Sequence, residues 1–99
     1  MVETFIIRPE AARDLAEAYT FYEEREFGLG EEFIRCVDAY MASIRRHPQG
    51  YPVVHETYRR ALMRRFPYAV FYECSGDAVE IYSILHCSQD PGKWRNHLP

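Results

Sequence analysis

The sequence predicts an α+β fold: an N-terminal strand, a two-helix hairpin, and four further strands completing a mainly antiparallel sheet. Three observations predict it. Two apolar stripes at helical spacing occupy the first half of the chain. Short β-branched and aromatic runs occupy the second. Pro or Gly marks most of the junctions between them. The 99 residues give room for one core, so residues 1–99 are read as a single domain.

Glu3 to Arg8 is a short β-prone run that Pro9 stops. Pro9 also suits the first position of a helix, where its missing N–H costs nothing. Ala11, Leu15, Ala18 and Tyr22 then recur at i, i+4, i+7 and i+11, and Glu10, Arg13, Asp14, Glu17 and Glu24 fall elsewhere on the wheel. This spacing predicts a first helix over residues 10–26, ending near Gly28. After the break at Gly28-Leu29-Gly30, Phe33, Val37, Tyr40, Met41 and Ile44 form a second stripe. Glu31 and Glu32 at its start and Arg45, Arg46 and His47 at its end match the helix dipole. Pro48 prevents continuation, and so short a turn between the helices predicts an antiparallel hairpin. The remaining runs predict strands at Tyr51–Tyr58, Arg60–Phe66, Tyr68–Cys74 and Ala78–His86. Ser75-Gly76-Asp77 serves as a hairpin turn, and a short tail carries Trp94. In the second strand, alternation puts Ala61, Met63 and Arg65 on one face and Arg60, Leu62, Arg64 and Phe66 on the other.

Composition narrows the function classes. Hydrophobic residues at 47% and aromatics at 15% exclude a disordered chain. The apolar runs fall well short of the ~20 residues that span a bilayer. The start of the chain has no basic segment or cleavage site, so a cytoplasmic protein is expected, although composition alone leaves a mature secreted form open. Cys36, Cys74 and Cys87 are odd in number and show no C-x-x-C spacing, which suits a reducing compartment. The net charge of −3 divides unevenly: −6 over residues 1–33, +5 over 34–65 and −2 over 66–99. Eleven of the twelve bases are arginine, the side chain suited to planar contacts with carboxylate or phosphate. His86-Cys87 has no ligand spacing to His47, His55 or His97, and no Lys-Ser/Thr follows Gly28-x-Gly30. No metal, cofactor or small-molecule substrate is therefore expected.

Ordered motifs run almost end to end. They are Pro9-Glu10-Ala11-Ala12-Arg13-Asp14-Leu15 with Tyr22, Phe33, Ile44 with Pro48-Gln49-Gly50-Tyr51-Pro52, and Tyr58-Arg59-Arg60 before Phe66-Pro67-Tyr68-Ala69-Val70-Phe71-Tyr72. Ile84-Leu85-His86 and Asp90-Pro91-Gly92-Lys93-Trp94 close the set. In this order they resemble the RelE/ParE superfamily of bacterial toxins from type II toxin–antitoxin systems. The resemblance implies a plasmid-stabilisation-type toxin that inhibits growth and is neutralised by a cognate antitoxin protein. RelE-like members cleave mRNA in the ribosome, ParE-like members inhibit DNA gyrase without being nucleases, and a degenerate relative that only binds its antitoxin is a third reading.

Cleaving RNA through its own 2′-OH needs an acid, a base and cations for the phosphate. Arg60 and Arg64, flanked by Arg59 and Arg65, would supply cations, and His86 at the end of the longest strand would supply the acid or base. The bland alternatives are arginines paired with the acidic first helix or with antitoxin carboxylates, and a histidine that closes its strand. A one-residue slip in register exchanges Arg60 and Arg64 for Arg59 and Arg65. Only His55 precedes Tyr58 as a candidate base, and Gln89 stands where many RelE-like relatives carry arginine. With a sequence pI of about 5.8, these departures favour the ParE-like reading, in which the chain acts by binding. Phe21 lies off the first apolar stripe, and with Arg59, Arg60, Arg64, Arg65, Gln89 and Trp94 it makes up the expected partner-binding set.

Overall fold

The computed structural model describes residues 2–88, and Gln89 and Trp94 of the expected partner-binding set lie outside them. The elements run β1 (Thr4–Ile7), α1 (Pro9–Arg25), α2 (Leu29–Arg46), β2 (Val53–His55), β3 (Tyr58–Leu62), β4 (Tyr68–Ser75) and β5 (Ala78–His86). This is the expected α+β order. The five strands form one sheet in the order β1-β5-β4-β3-β2, antiparallel throughout except where β1 lies parallel to β5.

Both helices lie where their stripes place them. Pro9 opens α1, and Ala11, Ala18 and Tyr22 are buried. In α2, Phe33, Val37, Met41 and Ile44 are buried, with Glu31 and Glu32 in the first turn and Arg45 and Arg46 in the last. The link is short, with Gly28 at a left-handed φ of 87° that glycine adopts without strain. The Glu23 carboxylate, on α1, accepts the N–H groups of Gly28 and Gly30 at 2.9 and 3.0 Å and so caps α2 from the neighbouring helix.

The helices cover one face of the sheet. Their stripes meet Ala61, Met63, Val70, Tyr72, Val79, Ile81 and Ile84 in the main core. The opposite face carries a second buried apolar cluster of Tyr58, Ala69, Phe71, Tyr82 and Leu85. The two clusters alternate along β4 as the period of two requires, whereas in β5 the register shifts opposite Phe71 and Tyr72, so Tyr82 and Ile84 fall in different clusters although two residues apart.

Two strand expectations are corrected. The Tyr51–Tyr58 run contributes only Val53–His55 before Glu56 and Thr57 turn the chain into β3. Pro52 has no N–H to give a ladder, and Glu56 takes a left-handed φ of 51°, so the run cannot stay extended. The Arg60–Phe66 strand is instead Tyr58–Leu62. Its alternation fails after Arg64, since Arg65 faces solvent and Phe66 turns into the core. The ring of Phe66 packs 4.9 Å from Tyr22 and 5.3 Å from Phe33, with Tyr68 5.0 Å from Phe33. Such edge-on pairs contribute about 0.5–1.5 kcal/mol each beyond area burial. They outweigh the extra rung of sheet that a longer β3 would make.

Candidate functional site

The four clustered arginines divide into a tied pair and a free pair. The Arg59 guanidinium points to the helix side and donates to the carbonyls of Tyr51 at 2.6 Å and Gln49 at 3.3 Å. It clasps the segment that joins α2 to β2. Arg65, in the β3–β4 connection, donates to Glu32 of α2 at 2.6 Å, and this hydrogen bond, with the carboxylate charge, raises the guanidinium pKa further. Arg60 and Arg64 are exposed, and neither guanidinium has a hydrogen bond or ion pair among the described residues. The backbone N–H of Arg64 is held at 3.1 Å by the Tyr40 hydroxyl of α2, which fixes where that side chain starts. The register left open by sequence alone therefore resolves within β3 to Arg60 outward and Arg59 on the helix side, while Arg64 and Arg65, both exposed, lie beyond the strand. Neither tied arginine meets the first helix, because Arg65 finds its acid on α2.

Leu62 lies between the free pair and is 51% exposed, and Val53 on β2 is 49% exposed. Sequence reasoning missed both as surface groups, because a β-branched or leucine residue in a strand reads as core. At the tip of the helical hairpin Phe27 is 94% exposed, and it lies outside both helical stripes. Phe21, expected to contact a partner, is 45% exposed, and the Arg25 guanidinium stands 4.2 Å from its ring centre. It borders a cleft of 230 Å³ lined also by Asp14, Glu17, Ala18, Tyr68, Ile84 and Leu85. The Asp14 carboxylate accepts from the Ser83 hydroxyl at 2.9 Å and the Ile84 N–H at 3.0 Å, pinning α1 to β5 beyond the reach of β1.

His86 lies opposite Tyr68 in the ladder, on the side of the sheet that carries Val70 and Ile84. Its ring meets the Tyr68 ring edge-on at 5.2 Å. Its Nδ1 accepts the Ser88 N–H at 3.0 Å, which places the neutral ring's proton on Nε2. Arg60 lies with Tyr58 and Leu62 on the other side, two strands away. Arg64 is nearer to His86 along the sheet, since Met63 bonds to Tyr68, the ladder partner of His86. The structure does not bring Arg60, Arg64 and His86 to one point. Among the described residues no group of three His, Cys, Asp or Glu side chains is placed to hold a metal ion.

The family model for the ParE toxin of the type II toxin–antitoxin system parDE matches residues 5–91. The chain belongs to the ParE toxin family. The ordered motifs pointed to the superfamily and, through their departures, to this branch. The fold of this ParE-family chain is similar to that of a solved chain described as the chromosomal ParDE TA system from P. aeruginosa. The TM-score is 0.72 at 17% identity, with 84% of this chain and 94% of that chain covered. At that identity the likeness establishes the fold. No curated protein matches the sequence. No helix among the described residues is long and apolar enough to cross a membrane.

Proposed function

We propose that this ParE-family chain is a cytoplasmic toxin that disables a macromolecular target by binding it, with DNA gyrase as the first target to test. A cognate antitoxin neutralises it by covering the Arg60–Arg64 face. The observation that carries this reading is the separation of Arg60 from His86. A ribonuclease needs its cations and its acid or base around one phosphate, and here Arg60 and the imidazole lie on opposite sides of the sheet. Free guanidinium groups beside exposed Leu62 and Val53 suit a protein surface that offers carboxylates and apolar side chains.

Two assays on one preparation test the reading. Gyrase supercoiling should fall as the protein is added, and ribosome-bound mRNA should stay intact. Rapid mRNA cleavage would instead establish a ribosome-dependent endonuclease. Induction of the chain alone in a bacterial host should arrest growth, and co-expression of the small protein encoded beside it should restore growth. Normal growth with verified folded protein would identify a relative that binds an antitoxin and harms nothing.

A further inference from the structure

We propose that the cleft between α1 and β5, with the groove beside it on α1, is where the toxin holds its target, and that its occupant is an arginine or lysine side chain from a basic, nucleic-acid-binding surface of that target protein. The inference rests on the reading above and names the surface of this chain that does the disabling.

α1 carries two stripes. Ala11, Ala18 and Tyr22 face the core, while Arg13, Glu17, Thr20 and Glu24 recur at helical spacing on the exposed side. The Phe21 ring stands between two depressions. With Glu17 it lines both the 230 Å³ cleft toward β5 and a more open groove of 420 Å³ that Arg13, Ala16, Thr20 and Glu24 complete. Pockets that enclose a whole small molecule run to about 300–1,000 Å³. The cleft is smaller than that and suits one side chain, and the open groove suits the protein surface that bears it.

Three acids and one base line the two depressions: Asp14, Glu17 and Glu24 against Arg13. Asp14 is engaged by Ser83 and Ile84, whereas Glu17 has neither a hydrogen bond nor an ion pair among the described residues. The Tyr68 pKa is raised first by burial and then by its neighbours Tyr22, Asp14 and Glu17, so both carboxylates act on the same space. The Phe21 ring already accepts the Arg25 guanidinium at 4.2 Å from its centre. An aromatic wall beside an unpaired carboxylate suits a further cation carried on an apolar stem.

Charge selects among the occupants. Residues 1–33 carry −6, which opposes a second copy, a nucleic-acid phosphate and an anionic membrane alike. The antitoxin segment read onto Arg60 and Arg64 must offer acids, and those are repelled here too. A basic protein surface remains, and proteins that handle nucleic acid present such surfaces. Tyr68 links the two partners, because it lines the cleft and its carbonyl accepts the N–H of Met63, the neighbour of Arg64. An antitoxin seated on Arg64 therefore borders the cleft and bars a large target from it.

Glu17→Lys with Phe21→Ala alters two exposed side chains and should leave the thermal midpoint within a few degrees. Induced in a bacterial host, the wild-type chain should arrest growth and the double variant should not. With purified gyrase, the double variant should need about tenfold more protein or worse to block supercoiling. Added salt should weaken the wild type more steeply than Glu17→Lys. Affinity of the double variant for the small protein encoded beside this chain should stay within about threefold. If the double variant melts early, Glu17→Lys alone decides by the same readouts. Growth arrest equal to that of the wild type, or an equal loss of antitoxin affinity, overturns the cleft as the target site and leaves the toxin–antitoxin reading standing. Wild-type growth arrest without inhibition of gyrase removes gyrase from that reading, and the growth comparison then decides the cleft. A wild-type chain that folds and harms nothing overturns both.

Discussion

The Arg59 guanidinium ends on two backbone carbonyls, whereas that of Arg60, one residue on, ends in solvent. Hydrogen bonds from a charged donor to one partly buried and one exposed carbonyl contribute about 1–3 kcal/mol in all. Arg59→Ala should therefore lower the thermal midpoint by several degrees, and Arg60→Ala should leave it within a degree or so while weakening antitoxin binding. Thermal melts of both variants beside a binding titration check the split, and equal losses of stability would remove the distinction between clasp and contact. Which arginine does which could not be read from sequence. The alternating pattern continues through Phe66, and only the packing of that ring against Tyr22 and Phe33 ends the strand at Leu62. The residue types were legible, and their direction depended on a side chain six positions from Arg60. His86 behaves similarly, because its place at the end of β5 was legible but the face it takes follows from the ladder to β4.

The helical hairpin illustrates what an element inherits from its neighbour. α2 begins at a glycine that has no side chain to cap it, and Glu23 of α1 accepts two of its first N–H groups instead. Glu23→Ala should cost about 1 kcal/mol, the value of an N-cap, with Glu23→Gln retaining part of it. Urea unfolding of the two variants measures this, and an unchanged Glu23→Ala midpoint would mean that water replaces the carboxylate without loss. Gly30 sets the approach of the helices. A Cβ there would meet the Tyr19 carbonyl oxygen and ring carbons at 2.9 Å, closer than real Cβ contacts come. Backbone cannot swing aside as a side-chain tip can, so Gly30→Ala should destabilise by about 1–3 kcal/mol despite the better helix propensity of alanine. A neutral or stabilised Gly30→Ala would show that the two helices move apart freely. The stripes made both helices legible to within a residue or so at most ends. β2 was legible only as a β-prone run, since a left-handed Glu56 carries no glycine or asparagine signal to announce its turn.

Over the whole molecule, the class and order of elements followed from local patterns, whereas the sheet order β1-β5-β4-β3-β2 did not. The parallel pairing of β1 with β5 joins residues more than seventy positions apart, and the Arg8–Glu80 pair at 3.0 Å that reinforces it has no local signature. A consequence of this closed arrangement is a set of phenols held away from water on both faces of the sheet. Burial pushes the Tyr82 hydroxyl up to about 12 and that of Tyr72 higher still, while Tyr22, Tyr58 and Tyr68 are raised, each by burial first. In the unfolded chain phenols titrate near 10. The folded state thus holds these protons more tightly, and the stability they represent is fully present below pH 10 and lost as the pH rises through 12. Urea midpoints should be level from pH 8 to about 9.5 and fall steeply above it. Tyr82→Phe removes one of the titrating groups, so its midpoint should decline less steeply between about pH 10 and 12 than that of the wild type, whatever its value at pH 8. Parallel declines would mean that Tyr82 is as free to ionise in the sheet as in the open chain, and that the second apolar cluster does not exclude water from it.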